Sequence, residues 1–350
     1  MARSSIEPVK IGERLVGPGH PVFIIAEMSA NHGQNFDRAV EIIKAAKAAG
    51  ADAVKVQTYT PDTMTIDSDR PEFRHEAGSL WAGKALYELY REACMPWEWQ
   101  PVLKETAEDL GLVFFSTAYD PTSVDFLARI DVPVIKISSF ELVDTPLIAY
   151  AAQTGKPLII STGMGTLEEI EDAVESARGG GCRELILLKC TSAYPAPPEE
   201  MNLRTVPALA ERFHCPSGLS DHSTSPLAAV AGATLGACVL EKHLTLEKGK
   251  GIDGGFSLDP AEFAETVAAV RQTESALGSP RFGPTESERQ SLRFRRSLWV
   301  VKPVQAGDPI TADNVRSIRP AGGLPPSQWP RKKAQSFRKS STTPRPLRED

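Results

Sequence analysis

The chain has 350 residues, with 39 Lys and Arg against 45 Asp and Glu and a formal net charge of −6. This balance gives no general attraction to nucleic acid or to an anionic membrane surface, so a small anionic substrate needs a local basic pocket. Cys94, Cys182, Cys190, Cys215 and Cys238 are widely spaced and contain no CxxC pair, which argues against a zinc knuckle or disulfide framework and for reduced thiols in a cytoplasmic protein.

The opening segment MARSSIEPVKIGERL lacks the apolar core of a secretory leader, and no run approaches the roughly 18 apolar residues of a membrane span. Eight short apolar runs then follow within the first 243 residues, each ending in a polar residue. They are residues 22–26 before Glu27, 53–56 before Gln57, 113–115 before Ser116 and Thr117, and 132–137, carrying Lys136, before Ser139. The series continues with 157–160 before Ser161, 185–190 before Thr191, 216–219 before Ser220 and His222, and 238–241 before His243. Helical stretches separate most of them. In the first, Asp37 is the expected cap, Ala39, Ile42, Ile43 and Ala46 recur at helical spacing, and Gly50 stops the helix. Strand and helix alternating eight times predict a (β/α)8 TIM barrel over residues 1–277, with functional groups at the C-terminal strand ends.

Two segments depart from that rhythm. Residues 58–100 form a long insertion that holds Trp81, Tyr87, Tyr90, Trp97 and Trp99, suited either to shaping a substrate pocket or to forming a satellite core. Residues 278–293, rich in Gly, Pro and charge, read as a linker to a second domain, 294–350. After residue 330 that domain is poor in strand formers and carries seven basic residues against two acids, which predicts partial disorder and an incomplete fold.

Alternation places Lys55 and Gln57 on one face of a strand, and Lys136 lies near the end of another. A lysine inside a barrel is costly unless it meets an anion. Thr117, Ser139, Ser161 and Ser220 add the donors that a phosphate or carboxylate requires. His222 and His243 end neighbouring strands and suit an open divalent-metal site, with Glu241 and Asp221 as further ligands or supporting partners. Glu27 is a candidate base, or the partner of Lys55 in a salt bridge, and Asp253 sits on a Gly-rich loop suited to polyol recognition. His20, His75 and His214 read as ordinary core or surface residues.

Taken together, IAEMSANHGQN, AVKVQTY, FFSTAYD, VIKISSFEL, IISTGM, LLKCTSAYPAP, GLSDHS and LEKHLTL resemble the sialic acid synthase family. The segment RRSLWVVKPVQAGDPITADNVRSIRPAGGLPP resembles the small antifreeze-like (SAF, β-clip) domain found at the end of those proteins. The resemblance implies condensation of phosphoenolpyruvate with an open-chain amino-sugar aldehyde, releasing phosphate and making a nine-carbon 2-keto acid. It assigns phosphoenolpyruvate to Lys55, Thr117, Lys136, Ser139, Ser161, Ser192 and Ser220. Ser192 departs from the asparagine usual in neuraminate synthases. Gln57, Tyr194, Asp253 and Arg319, with Arg316 as the nearby alternative, fall to the sugar. His222 and His243 fall to a divalent metal, with manganese ahead of magnesium or cobalt, and Glu27 to the water or the sugar.

A domain-swapped homodimer sharing its active sites is implied in the same way. The aromatic insertion and KCTSAYPAPPEEMNL lie nearer to the branch that uses a 2,4-diacetamido-2,4,6-trideoxy sugar than to the branch that uses N-acetylmannosamine. The nearest rival is the same reaction on N-acetylmannosamine, or on a 2,4-diacetamido hexose to give legionaminic acid. Two further readings stand beside it: a Schiff-base aldolase on Lys136 or Lys55, and an ice- or carbohydrate-binding C-terminal module carried by an inert barrel.

Overall fold

The computed structural model describes residues 6–75 and 81–349; residues 1–5, read above for a leader, and 76–80 of the aromatic insertion lie outside them. The chain divides into two compact units, one ending at Gly278 and one beginning at Ser279. In the first, the strands are β1 (Val9–Ile11), β2 (Arg14–Val16), β3 (Phe23–Glu27), β4 (Ala53–Thr58), β5 (Val113–Ala118), β6 (Ile135–Ile137), β7 (Leu158–Ser161), β8 (Leu185–Cys190), β9 (Ser217–Asp221) and β10 (Val239–His243). Strands β3 to β10 pair in parallel in chain order, and β10 closes on β3, with Val239 opposite Phe23 and His243 opposite Glu27. The result is the eight-stranded barrel that the repeated pattern predicts.

The strands run further than the apolar runs. Glu27, Gln57, Ser161 and His243 are the last or next-to-last residues within their strands. They therefore inherit the strand's alternation, and their side-chain directions follow from the sheet rather than from a loop. The first helix, Phe36–Ala48, differs from expectation at its start: Asn35, not Asp37, is the cap, because the Asn35 side chain accepts the Arg38 N–H. Asp37 lies in the first turn, where its charge suits the helix dipole. Gly50 follows in the left-handed region, φ 88°, where a side chain would be strained.

Strands β1 and β2 form a hairpin at the N-terminal end of the barrel. Val9, Ile11 and Val16 are buried in the barrel's core. The Lys10 N–H bonds the Glu184 carboxylate just before β8, and Arg14 pairs with Asp52 just before β4 at 2.7 Å. Asp52 also takes Arg271 at 2.7 Å and the Ile24 N–H at 2.9 Å. Among the described residues, no helix is long and apolar enough to cross a membrane.

The second unit is built on an antiparallel sheet in the order β12 (Val315–Ile318), β11 (Ser297–Val300), β13 (Arg345–Pro346). Leu298, Val300, Val304, Ile310, Val315, Phe337 and Leu347 form its core. Residues beyond 330 take part in this unit. Phe337 and Leu347 are two widely spaced apolar residues that nevertheless reach the core, and the Ser341 N–H bonds the Val304 carbonyl at 2.8 Å. Composition averaged over the tail hides two anchors separated by polar turns. Phe337→Ala is expected to remove about 3–5 kcal/mol from this unit, read as faster proteolysis after residue 300 with the barrel left intact.

Candidate functional site

At the C-terminal end of the barrel the register sets chemically active residues side by side. Glu27 lies opposite both Lys55 and His243, Thr117 opposite Gln57 and Lys136, and Ser220 opposite Cys190 and Glu241. In-register residues of parallel strands point the same way, so these side chains converge on the cavity above the barrel interior. That cavity, about 620 Å³, is lined among others by Glu27, Lys55, Lys136, Glu241, His222 and His243.

Lys55 is the hub. Its Nζ lies 2.7 Å from Glu27, 3.6 Å from Glu241 and 3.0 Å from the Thr117 hydroxyl. Burial works against its charge, but Glu241 and Glu27 outweigh it and hold the lysine above its ordinary pKa. Burial lifts Glu27 above the usual carboxylate range, with Lys55 opposing. Glu241 goes the other way: burial alone would raise it, yet Lys55, Lys136 and His222 hold it below that range. The Glu27–Lys55 salt bridge is thus real and sits inside the cavity.

From Glu27 the network extends outward. Gln57 donates to Glu27 at 3.0 Å and to the Ser29 hydroxyl at 3.1 Å, and that hydroxyl donates to Asp253 at 2.5 Å. Burial raises the Asp253 carboxyl, with Ser29 opposing. On the far wall, Lys136 donates to the Ser161 hydroxyl at 2.6 Å and to the Ile137 carbonyl at 2.9 Å. Burial lowers its pKa, with Glu241 opposing. Ser220 donates to Glu241 at 3.1 Å, and the Ser139 hydroxyl accepts the Gly163 N–H at 3.1 Å. A Cβ on Gly163 would lie 2.4 Å from the Ser192 hydroxyl and 2.7 Å from that of Ser139. Only glycine therefore fits between these two hydroxyls.

The rings of His222 and His243 lie 5.2 Å apart. His222 Nδ1 is 3.0 Å from the Thr191 carbonyl; in the neutral ring, donating there leaves the lone pair on Nε2. Burial lowers the pKa of His243, with His222 adding to this whenever it is protonated, and so favours the neutral ring, the form that coordinates metals. Its Nδ1 is buried without a hydrogen-bond partner. Two adjacent imidazoles, one with its Nδ1 engaged by a carbonyl and one with an unpartnered nitrogen, fit an open divalent-metal site. Among the described residues, no group of three or more His, Cys, Asp and Glu is placed to hold a metal, so further ligands would come from water or substrate.

Asp221 is corrected as a metal ligand: it pairs with Lys242 at 2.6 Å. Both residues precede a histidine, so alternation turns them away from the cavity. Tyr194 packs on His222 with ring centroids 4.5 Å apart and on Phe256 at 4.8 Å. Trp81, from the insertion, reaches Tyr194 and donates to the Ile252 carbonyl at 3.1 Å. Arg319 and Arg316 belong to the second unit and are exposed there.

Sequence reasoning passed over several lining residues. Cys190 sits 3.8 Å from His222; burial alone would raise its thiol, but His222 brings it to about 7. His75, read as an ordinary residue, lines the cavity beside Trp81. Glu141 lines it too, and burial raises its carboxyl, with Ser138 opposing. The strand-end rule could have found Cys190, the last residue of β8. His75 and Glu141 lie on loops and carry no periodic signal.

A chain with this barrel and this mouth is a member of the NeuB family, whose model matches residues 42–281. It is 45% identical over 306 residues to the pseudaminic acid synthase of Campylobacter jejuni (strain 81-176), covering 87% of this chain and 89% of that one. It is 41% identical over 328 residues to the pseudaminic acid synthase of Helicobacter pylori, covering 92% and 96%. The crystal structure of an N-acetylneuraminic acid synthetase from Leptospira borgpetersenii superposes with a TM-score of 0.73 at 29% identity, over 83% of this chain and 96% of that one.

Lys55→Met would leave Glu27 and Glu241 facing each other without their counter-charge. It is expected to cost about 3–5 kcal/mol, measured by chemical denaturation at pH 7. Lowering the pH should recover part of the loss, because protonating either carboxyl removes the repulsion.

Proposed function

We propose that this protein condenses phosphoenolpyruvate with 2,4-diacetamido-2,4,6-trideoxy-L-altrose and water to give pseudaminic acid and phosphate. The observation that carries this reading is a barrel mouth with two buried lysines, a set of hydroxyls and two histidines, in a chain similar over most of its length to pseudaminic acid synthases. The enzyme is read as a cytoplasmic, carbon–carbon bond-forming transferase. Its second unit is read as an antifreeze-like module with Arg319 as the sugar contact, and the assembly as a homodimer.

Lys55 and Lys136, with Thr117, Ser139, Ser161, Ser192 and Ser220, hold the phosphate and carboxylate of phosphoenolpyruvate. Gln57, Tyr194 and Asp253 orient the sugar. Carbon three of the enol phosphate attacks the aldehyde carbon, whose oxygen takes up a proton as the new bond forms. Carbon two is left electron-poor and is captured by water. Glu27, whose pKa burial raises, is suited to take the proton that this water loses. The tetrahedral carbon then expels phosphate with carbon–oxygen cleavage, and the adjoining hydroxyl loses its proton to become the keto group. No lysine need form a covalent intermediate.

His222 and His243 are the residues that would hold manganese, or magnesium or cobalt, and a metal bound there supplies a Lewis acid for the aldehyde oxygen. Positioning two reactants can contribute about 7–11 kcal/mol to lowering the barrier, which accounts for the number of residues devoted to holding.

Phosphate release measured with manganese is expected to require the altrose sugar and to cease with EDTA. A preference for N-acetylmannosamine would instead make the protein a neuraminate synthase. Trapping of a keto acid by borohydride, with activity insensitive to chelator, would favour the Schiff-base reading. His222→Ala is expected to lose at least 100-fold in kcat.

Burial lowers the pKa of Lys136 in the free protein, and its positive charge is lost as pH rises through that value. Phosphoenolpyruvate affinity, followed by calorimetry, should therefore begin to fall below the pH at which an ordinary lysine titrates, and Lys136→Arg should abolish that alkaline limb.

A further inference from the structure

Behind the two histidines, on the outer face of the barrel wall, lies a second buried ionic arrangement that the reaction itself does not use. Lys242 and Asp221 are opposite each other on β10 and β9. Lys242 is 1% exposed and Asp221 1%. The Lys242 ammonium donates to the Asp221 carboxylate at 2.6 Å and to the Ser223 carbonyl at 2.6 Å, with the Ser223 hydroxyl at 3.4 Å. The other Asp221 oxygen accepts the Ser223 N–H at 2.8 Å. Residues 221 and 223 are thus tied to each other and to the same ammonium, and the residue between them is His222. The residue that follows the ammonium on its own strand is His243.

A buried ion pair is poor evidence of stabilisation, because desolvating both charges offsets most of their attraction and an apolar pair of similar volume often serves as well. Its distinctive contribution is directional. An ammonium meeting a carboxylate and a carbonyl fixes the separation and twist of the segments that carry them, which two apolar side chains do not. Here those segments end in the two imidazoles.

We propose that Lys242 and Asp221 are positioning residues that set the spacing and orientation of His222 and His243 for a divalent metal. This inference rests on the metal-binding part of the function proposed above.

The test replaces the pair with apolar residues of similar size, Lys242→Met together with Asp221→Leu. A second double variant, Lys242→Gln with Asp221→Asn, keeps the polarity and serves if the first does not fold. Manganese affinity is read by electron paramagnetic resonance, alongside apparent Tm and phosphoenolpyruvate affinity in the absence of metal. Manganese binding is expected to weaken about 10- to 100-fold, with Tm changed by only a few degrees and phosphoenolpyruvate affinity within about twofold. Unchanged manganese affinity in a folded variant would overturn the proposal. So would a parallel loss of manganese affinity, phosphoenolpyruvate affinity and Tm, which is the signature of a merely structural pair.

If the wild-type protein binds no manganese, magnesium or cobalt, the metal reading fails first, and the histidine signals decide the positioning role separately. In ¹⁵N spectra the wild-type His222 should show the single tautomer protonated on Nδ1. Mixed tautomers in the variants would support positioning by the pair, and an unchanged spectrum would exclude it.

Discussion

Two carboxylates cannot share the inside of a barrel without a cation between them, and Lys55 is that cation. Glu27 and Glu241 approach it from neighbouring strands on either side of the closure of the sheet. Glu27 then anchors Gln57, Gln57 meets Ser29, and Ser29 meets Asp253. Glu241 anchors Ser220. Much of the polar surface of the cavity is thus a hydrogen-bonded tree rooted in one ammonium. The strands make this affordable: their registers bring the charges together at no extra cost in backbone order, because the sheet that orders them is already required by the core.

The same root explains why the carboxyls differ. Lys55 is nearest to Glu27, yet Glu27 is raised, because burial outweighs one neighbour and Glu241 adds a like charge. Glu241 is also buried but has Lys55, Lys136 and His222 acting on it together. Two residues of one chemical type thus acquire opposite tendencies from position alone, one toward holding a proton and one toward remaining an anion, a division suited to acid–base work beside a fixed charge.

The barrel was legible because a parallel strand buried on both faces must be apolar through its middle and is free to be polar only at its end. That rule exposes Glu27, Gln57, Ser161, Ser220 and His243 directly, and alternation from Gln57 brings in Lys55. Lys136 was legible for a different reason: a cation in a run such as VPVIKIS has no place in an apolar interior without a partner. What escaped was whatever alternation does not encode. Lys242 drew no reading of its own: alternation turns it outward, but only the pairing of β9 with β10 brings it onto Asp221. Phe337 and Leu347 are isolated in sequence and meet only in the folded second unit. His75 and Glu141 arrive at the cavity on loops, whose paths no short-range pattern specifies.

The hairpin of β1 and β2 gives the barrel a floor. Its buried Val9, Ile11 and Val16 and its ties to Asp52 and Glu184 set it at the end opposite the cavity. Between the two ends the barrel is filled with side chains rather than open as a channel. The hairpin therefore clasps the strands where they begin, far from the chemistry where they finish, and the two ends of the same eight strands are left to answer separate demands: one for holding the wall together, the other for arranging charge.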